Sequence, residues 1–321
     1  MTKTSALPRL GTSLAVFLRR AGVYTALAVV LVIARIVAPR FYSPSNLANV
    51  LRQGSALGIL GIGETVVMLN CGIDLSVAPV MQLVTVTVAE LTGGEDTYAL
   101  PVVLLCLVIG CLVGYVNSLI ITRRGTPPFV ATLGTGVVIT GVRMVWTGGT
   151  PSGSMPRLLR LIGHDATGPL PNAAIAFLGL ALVTSLLLNT TTFGRRLLAA
   201  GANREAARFS GVDVNRVTTY AYVLCGFLAA VAGLVLAGYV GYADQWIGQG
   251  YDLDAIAAAA VGGTTFAGGE GGILGTVAGV LLVITLLNLV VLLNLDIEYQ
   301  MVVKGLVLIL AVAVYSISRR S

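Results

Sequence analysis

The sequence has few of the side chains from which most enzymes build active sites. It contains one histidine, His164, and two lysines, Lys3 and Lys304, among 321 residues. One histidine cannot form a histidine metal cluster, and it leaves a Ser-His-Asp triad almost nothing to build on. Because neither lysine follows a glycine, the phosphate-binding pattern GxxxxGK[ST] is absent. We therefore predict no catalytic residue, no metal site and no nucleotide hydrolysis through such a loop.

Cysteine and charge are also scarce. The four cysteines, Cys71, Cys106, Cys111 and Cys225, lie in or beside apolar stretches without a CxxC pair, so we interpret them as small hydrophobic residues of helices. Charged residues make up 11% of the chain and hydrophobic residues 56%, against about 25% and about 45–50% in an average soluble domain. With a mean hydropathy of +0.91, this composition excludes a globular protein in water.

The apolar runs predict an all-α polytopic membrane protein that forms one transmembrane domain over residues 1–321. At about 20 apolar residues per crossing we expect about ten transmembrane helices. The predicted spans and half-spans are Ala21–Ala38, Ala56–Leu69, Val77–Leu91, Leu100–Ile121, Phe129–Val145, Asn172–Leu188, Val217–Tyr239, Asp254–Val261, Ile273–Leu293 and Met301–Ser316. Phe41–Gln53 is predicted to be a short outer amphipathic piece, and Thr147–Pro171 a polar loop. If the breaks at Asn70–Ser76 and Gly262–Gly272 are re-entrant, the count falls to about eight.

Basic residues set the predicted orientation. With ten crossings and the N-terminus inside, thirteen of the 20 lysines and arginines fall in inside segments and four in outside segments. The positive-inside rule then predicts that both termini are cytoplasmic, together with a tail over 1–20 and a loop over 190–216. The net charge of +6 is explained in the same way, without nucleic-acid binding.

The segment Cys71–Ser76 interrupts two apolar runs. Gly72 permits unwinding, and an unpaired aspartate in a membrane costs about 2.5–3.5 kcal/mol. We therefore interpret Asp74 either as a cap at a broken helix or as a group of a transport pathway. Polar residues near the same spans are candidates to line an aqueous path, namely Glu64, Asn70, Gln82, Glu90 and Asn117.

Two further segments have helix-boundary signals. In Gly201–Gly211, Asn203 is a good N-cap, Glu205 and Arg208 match the helix dipole, and Gly211 provides a stop. We interpret this segment as a short helix that contacts a partner, or as a solvated connection. In Gly250–Gly263, Asp254 is predicted to cap an alanine half-helix that ends at Gly262 and Gly263. A pairing between Lys304 of the last span and a carboxylate such as Asp74 is left open.

The order of these motifs resembles the permease subunits of ABC importers of the ribose/xylose type. The matching residues are Gly72-Ile-Asp-Leu-Ser-Val77, Pro128-Phe-Val-Ala-Thr-Leu133, Asn203-Arg-Glu-Ala-Ala207 with Ser210-Gly211, Leu253-Asp-Ala-Ile-Ala-Ala258, Gly262-Gly-Thr264 with Gly268-Gly269, and Val303-Lys-Gly305. The resemblance runs from about Phe41 to Tyr315. The chain departs from the family where Cys71 and Ala78 replace usual glycines and where Glu270 follows the late glycine pair.

The resemblance implies a sugar-import mechanism in the bacterial cell (inner) membrane. Two permease chains, identical or paralogous, form the path, a periplasmic or lipoprotein solute-binding protein delivers the sugar, and a separate ATPase subunit binds ATP and Mg²⁺. This chain then holds no cofactor and contacts only proteins, solute and membrane lipid. The implied ATPase-coupling residues are Gly201, Asn203, Arg204, Glu205, Ala206, Ala207, Ser210 and Gly211; the implied path or broken-helix residues are Asn70, Gly72, Asp74, Ser76, Asn117, Asp254, Gly262 and Gly263.

Three alternatives stay open at this point. An ion-coupled secondary transporter would use membrane carboxylates such as Asp74 and Glu64 and would need no ATPase. The other two are ABC permeases for branched-chain amino acids and for nucleosides, which related permeases carry.

Overall fold

The computed structural model describes residues 10–296, 298–299, 301–302 and 305–306, with side chains from residue 22 onward. This part of the chain is almost entirely helical, which confirms the all-α prediction. Its α-helices are α1 Leu10–Val37, α2 Pro44–Leu69, α3 Val77–Thr92, α4 Ala99–Arg124, α5 Pro128–Thr147, α6 Arg157–Gly163, α7 Asn172–Thr190, α8 Thr192–Ala202, α9 Arg204–Phe209, α10 Val214–Val240, α11 Tyr251–Val261 and α12 Ile273–Leu292. Two short antiparallel strands, β1 Ala166–Thr167 and β2 Leu170–Pro171, pair Ala166 with Pro171.

Five segments of the described chain are long and apolar enough to cross a membrane. They comprise α5, α7, α10, α12 and the stretch Asp96–Arg124 that includes α4. Gly22–Val37 of α1 and the whole of α3 are shorter apolar helices. The protein is therefore polytopic, while the number of spans and the sides of the termini stay predictions. The predicted span Met301–Ser316, with Lys304, falls mostly outside the described residues.

Helix α10 forms the centre of the bundle, where glycines let backbones approach closely. A Cβ built on Gly110 of α4 would lie 2.3 Å from the carbonyl oxygen of Gly226, and one on Gly114 would lie 2.1 Å from that of Tyr222. The order of these contacts shows that α4 runs antiparallel to α10. Small residues at such crossings are typical of membrane helix packing, where close van der Waals contact replaces the hydrophobic effect.

The prediction divided the sequence of α2 into two separate segments, and this was wrong. Phe41–Gln53 is not a separate amphipathic piece and Ala56–Leu69 is not a half-span, because Pro44–Leu69 is one helix of 26 residues, about 39 Å long. The polar side chains in its first half form hydrogen bonds with neighbouring parts of the bundle. Asn46 Nδ2 donates to Asn288 Oδ1 at 2.9 Å, Arg52 Nε donates to the His164 carbonyl at 2.7 Å, and Gln53 Nε2 donates to the Tyr239 hydroxyl at 3.2 Å.

Helix α1 begins at Leu10, within the predicted tail 1–20, and the cytoplasmic location of that tail stays a prediction. The prediction of a polar loop over Thr147–Pro171 was wrong in part, because this stretch contains α6 and the paired strands. Close backbone packing at Gly163, where a Cβ would lie 2.3 Å from Tyr239 N, explains why α6 lies against the end of α10.

One end of the bundle collects the connections rich in arginine, and we call it the basic end. It contains the end of α4, helices α8 and α9 and the start of α10, which carry Arg123, Arg124, Arg195, Arg196, Arg204, Arg208 and Arg216. The α2–α3 break and the α11–α12 turn reach the same end, since Gly269 N–H donates to the Leu69 carbonyl at 2.9 Å. By the positive-inside rule, this end is the one predicted to face the cytoplasm.

Candidate functional site: the broken helices and the basic-end joint

The α2–α3 break is confirmed as non-helical backbone between two helices. Contacts along α10 show that α2 and α3 run in opposite directions. Asn70, at the end of α2, donates from Nδ2 to Thr218 Oγ1 at 2.8 Å, whereas Gln53, near its start, reaches Tyr239. The order is reversed for α3, where Ile73, just before the helix, accepts from Tyr222 and Thr85, within it, reaches the Gly233 carbonyl. Gly72 fits where no side chain can, because a Cβ there would lie 2.5 Å from the Tyr222 hydroxyl oxygen.

Asp74 acts as an acceptor immediately before α3. Its Oδ1 accepts from Ser76 N at 2.9 Å and from Ser76 Oγ at 2.5 Å. Asn117 of α4 donates from Nδ2 to Ser76 Oγ at 2.9 Å and reaches Asp74 Oδ1 at 3.5 Å. Asp74, Ser76 and Asn117 are all buried. The structure thus brings three of the predicted residues together. Asp74 is not the N-cap of α3, which is Ser76, but it caps the helix start from two residues upstream by accepting from the Ser76 N–H.

Three further residues hold the same segment: Glu64, a predicted candidate to line the path, and Thr132 and Tyr222, which were missing from the predicted site. Glu64 Oε1 accepts from Asp74 N at 3.1 Å, Thr132 Oγ1 accepts from Leu75 N at 3.1 Å, and the Tyr222 hydroxyl donates to the Ile73 carbonyl at 3.3 Å. Glu64 was detectable as a carboxylate inside an apolar run. Thr132 and Tyr222 gave no such signal, because their roles depend on helices distant in sequence.

The predicted coupling segment Gly201–Gly211 is not one short helix, because Gly201 belongs to the helix before it. Gly201 lies in α8 rather than in the short helix that follows, and it packs against the α2–α3 break. A Cβ built on Gly201 would lie 1.8 Å from the Leu69 carbonyl oxygen and 2.7 Å from Gly269 N. We call this meeting of Leu69, Gly201 and Gly269 the basic-end joint. It connects the predicted coupling region directly to both broken segments.

The short helix α9 confirms the predicted capping. Asn203 Oδ1 accepts from Ala206 N at 3.0 Å, and Gly211 adopts a φ of +80° just beyond the helix. Ala207 packs inward, whereas Phe209 is 92% exposed. Phe209 was not among the predicted residues, although an aromatic residue at the end of a basic, self-capped helix was a usable signal.

The late half-helix begins earlier than predicted. Helix α11 starts at Tyr251 after Gly250, whose φ is +82°, so Asp254 lies in the first turn and is not the N-cap. Helix α11 still ends at Gly262, and Gly263 follows with a φ of +92°. A Cβ on Gly262 would lie 2.4 Å from the Gly275 carbonyl oxygen, which explains the close packing of α11 against α12.

Comparisons with known proteins agree with this architecture. A family model described as the permease component of a branched-chain amino acid transport system matches residues 46–312. The chain belongs to this permease family. It is 38% identical over 302 residues to the ribose import permease protein of Bacillus subtilis (strain 168), covering 92% of each chain. It is 33% identical over 320 residues to the galactose/methyl galactoside import permease protein of Escherichia coli (strain K12), covering 94% of this chain and 95% of that one. No solved structure matches the permease.

The resemblance inferred from the motifs is therefore confirmed. The permease is a multi-pass protein of the bacterial cell membrane, and its role is that of a permease component rather than an enzyme. The structure adds that three of the quoted motifs lie together. The break after α2 and the glycine turn after α11 meet at the basic-end joint, and helix α9 lies beside it.

Cys71 occupies a backbone conformation that explains why glycine is usual at this position in the family pattern. Its φ is +59°, in the left-handed region that glycine adopts without a steric penalty. Its sulfur lies 3.1 Å from the Gly201 carbonyl oxygen and 2.8 Å from the Ala267 carbonyl oxygen, and its single S–H donates to one of the two at a time. A left-handed backbone conformation costs about 1 kcal/mol for any residue with a Cβ. At Cys71 this cost is found together with the contacts of the thiol.

We predict that Cys71→Gly unfolds at a higher temperature than Cys71→Ala. Both variants lose the thiol contacts, but only alanine keeps a Cβ in the left-handed region, and the difference is expected to be about 1 kcal/mol. Thermal unfolding of the two purified variants measures it. Equal stability of the two variants would contradict the assigned backbone conformation.

Proposed function

We propose that this chain is the membrane-spanning permease subunit of an ABC importer for a monosaccharide of the ribose or galactose class. The observation that supports this most strongly is the identity of 33–38% with both ribose and galactose import permeases across more than nine-tenths of the chain. The scarcity of histidine and lysine fits a division of labour in which another chain binds and hydrolyses ATP with Mg²⁺.

The ATPase subunit would bind at the basic end. Helix α9 presents Arg204, Glu205, Arg208 and Phe209 to solvent, while Ala207 fixes the helix to the bundle. Arg204 also reaches inward, since its Nη2 donates to Thr218 Oγ1 at 3.3 Å and Thr218 accepts from Asn70. Movement of α9 would therefore be transmitted to the α2–α3 break by two routes, this hydrogen-bond chain and the basic-end joint.

The solute path would be completed by a second permease chain. A groove of about 370 Å³ lies between the start of α3 and α5, with Leu75, Pro79, Gly136 and Thr140 among its lining residues. It begins one residue after Asp74. Because this groove is open on the side away from the chain, a second permease chain packed there would enclose it. The solute-binding protein would dock at the opposite end, near α6 and the paired strands.

The first test is affinity isolation of the tagged permease from its native membrane, followed by identification of every co-purifying protein. We expect an ATP-binding subunit and a solute-binding protein, and the sugar is then identified by titrating that binding protein with ribose, galactose and xylose. A binding protein that takes only amino acids or nucleosides would overturn the sugar assignment. A stable permease isolated alone, with uptake driven by an ion gradient, would overturn the ABC assignment.

We predict that Phe209→Ala reduces recovery of the ATPase subunit in that isolation by at least about tenfold without lowering the thermal stability of the permease. An exposed aromatic side chain contributes nothing to the core, but as an interface anchor it is expected to supply about 2 kcal/mol or more. Tyr242→Ala is the matched control, because Tyr242 is also exposed and lies at the opposite end. Undiminished ATPase recovery with Phe209→Ala would show that α9 is not the docking helix.

A further inference from the structure

Two carboxylates lie inside the membrane domain without a basic partner among the described residues. Glu64 is fully buried and Asp74 is 1% exposed. Glu64 Oε1 accepts from Asp74 N at 3.1 Å, so both acids belong to the same small region. The ion pairs found in the described part of the chain are His164–Asp165 and Arg216–Asp213, and neither involves these two acids.

Acceptor oxygens around this pair outnumber the available donors. Glu64 Oε2 and Asn117 Oδ1 are buried and have no hydrogen-bond partner within residues 22–296. Asn117 belongs to the cluster because its Nδ2 donates to Ser76 Oγ at 2.9 Å and reaches Asp74 Oδ1. Buried polar atoms are almost always paired, so unpaired acceptors on two different helices point to a bound donor or positive charge.

Among the described residues, the neighbouring helices α5, α10 and α11 bring no such charge. Helix α10 contributes the titratable groups Tyr222 and Cys225, and α11 contributes Asp252, all of which interact electrostatically with the pair. Helix α5 contributes the neutral Thr132. Two carboxylates this close cannot both stay ionised in a dry interior without a neutralising cation.

We propose that the Glu64–Asp74 cluster binds one small monovalent cation, either a proton or a sodium ion. Carboxylate, amide and hydroxyl oxygens are the ligands that hard cations prefer. Unwound backbone between membrane helices is also where transporters hold such ions. Within the described residues, no group of three or more acids, histidines or cysteines is placed to hold a metal. One monovalent charge is enough, because the Asp74 carboxylate already accepts from Ser76 N and Ser76 Oγ and only Glu64 then needs to be neutralised. The inference does not depend on which solute the permease carries.

The experiment is thermal unfolding of the full-length permease in lipid nanodiscs. Sodium chloride is varied from about 1 to about 100 mM at constant ionic strength with choline chloride, and the series is repeated across pH. If sodium is bound, the unfolding temperature of the wild type rises with sodium at fixed pH. If a proton is bound, the unfolding temperature ignores sodium and falls as the pH rises, because the folded state then holds more protons than the unfolded state.

Two variants separate the cluster from other titrating groups. Glu64→Gln keeps the shape of the side chain and removes its charge, so we expect it to lose the sodium or pH dependence of the wild type. Glu90→Gln is the control, because Glu90 accepts from Ser152 N at 2.7 Å at the far end of α3 and should leave that dependence unchanged.

Two results would overturn the proposal. The first is a wild-type unfolding temperature that responds neither to sodium nor to pH beyond the response of Glu64→Gln. The second concerns Lys304, which lies outside the described residues. If the wild type is insensitive and Lys304→Gln becomes sensitive to sodium or pH, the neutralising charge is the ammonium group of Lys304 and no separate cation binds.

Discussion

Gly201→Ala is expected to lower the thermal stability of the permease and to reduce solute uptake by at least about tenfold. The added Cβ would lie 1.8 Å from the Leu69 carbonyl oxygen, which is far inside van der Waals contact. Both neighbours, Leu69 O and Gly269 N, are backbone atoms, so no side-chain rotation relieves the clash. Overpacking of this kind typically costs about 1–3 kcal/mol.

The functional loss follows from what the basic-end joint connects. Helix α8 can accept the methyl group only by moving away from the end of α2 and from the turn after α11. That movement separates α8, and α9 that follows it, from the two broken segments, which the 2.9 Å hydrogen bond from Gly269 N to Leu69 O holds to each other. ATP hydrolysis by the assembled complex is expected to continue while uptake fails.

Gly179→Ala is the matched control for this prediction. Gly179 also lies inside a helix, but its Cβ would meet nothing within 4 Å. We expect wild-type stability and uptake for this variant, measured by thermal unfolding and by uptake of the solute of the co-purified binding protein. If Gly201→Ala matches Gly179→Ala in both measurements, the joint is looser than its distances indicate.

The contrast between Gly201 and Asn203 shows which parts of the site the sequence could predict. The cap at Asn203 and the stop at Gly211 use only atoms a few residues apart, so their spacing in the sequence was sufficient. Gly201 lies two residues before that cap, yet its role depends on Leu69 and Gly269, which are distant in sequence. No local pattern encodes such a contact.

The same distinction holds for the fold: helices marked by local apolar runs were predictable, and helices that depend on contacts with other helices were not. Apolar runs located the lipid-facing helices such as α4 and α7 within a few residues. They failed for the first half of α2, because the half-buried side chains of Asn46, Arg52 and Gln53 form hydrogen bonds with neighbouring parts of the bundle and so continue the helix into polar sequence. Asp254 was wrongly predicted as a cap because glycine, here Gly250, can also begin a helix.

Asp74→Ala is expected to destabilise the permease by about 2–4 kcal/mol, the largest effect of a single polar substitution in the α2–α3 break. The loss comes from two buried donors on Ser76, its N–H and its hydroxyl, which are left without the acceptor at the start of α3, at about 1–2 kcal/mol each. Because Ser76 also accepts from Asn117 Nδ2 at 2.9 Å, loss of Asp74 loosens the contact between α3 and α4 as well.

Asp74→Asn separates the acceptor from the charge. The amide oxygen can still accept from Ser76 N, so we expect this variant to lose less than half of the stability lost by Asp74→Ala. Thermal unfolding gives the two losses, and uptake distinguishes the two interpretations of Asp74. Normal uptake by Asp74→Asn assigns the residue to the cap alone, whereas a folded but inactive Asp74→Asn assigns its charge to the transport cycle. An Asp74→Ala permease as stable as the wild type would contradict the cap itself, because the two hydrogen bonds at 2.9 Å and 2.5 Å would then contribute nothing.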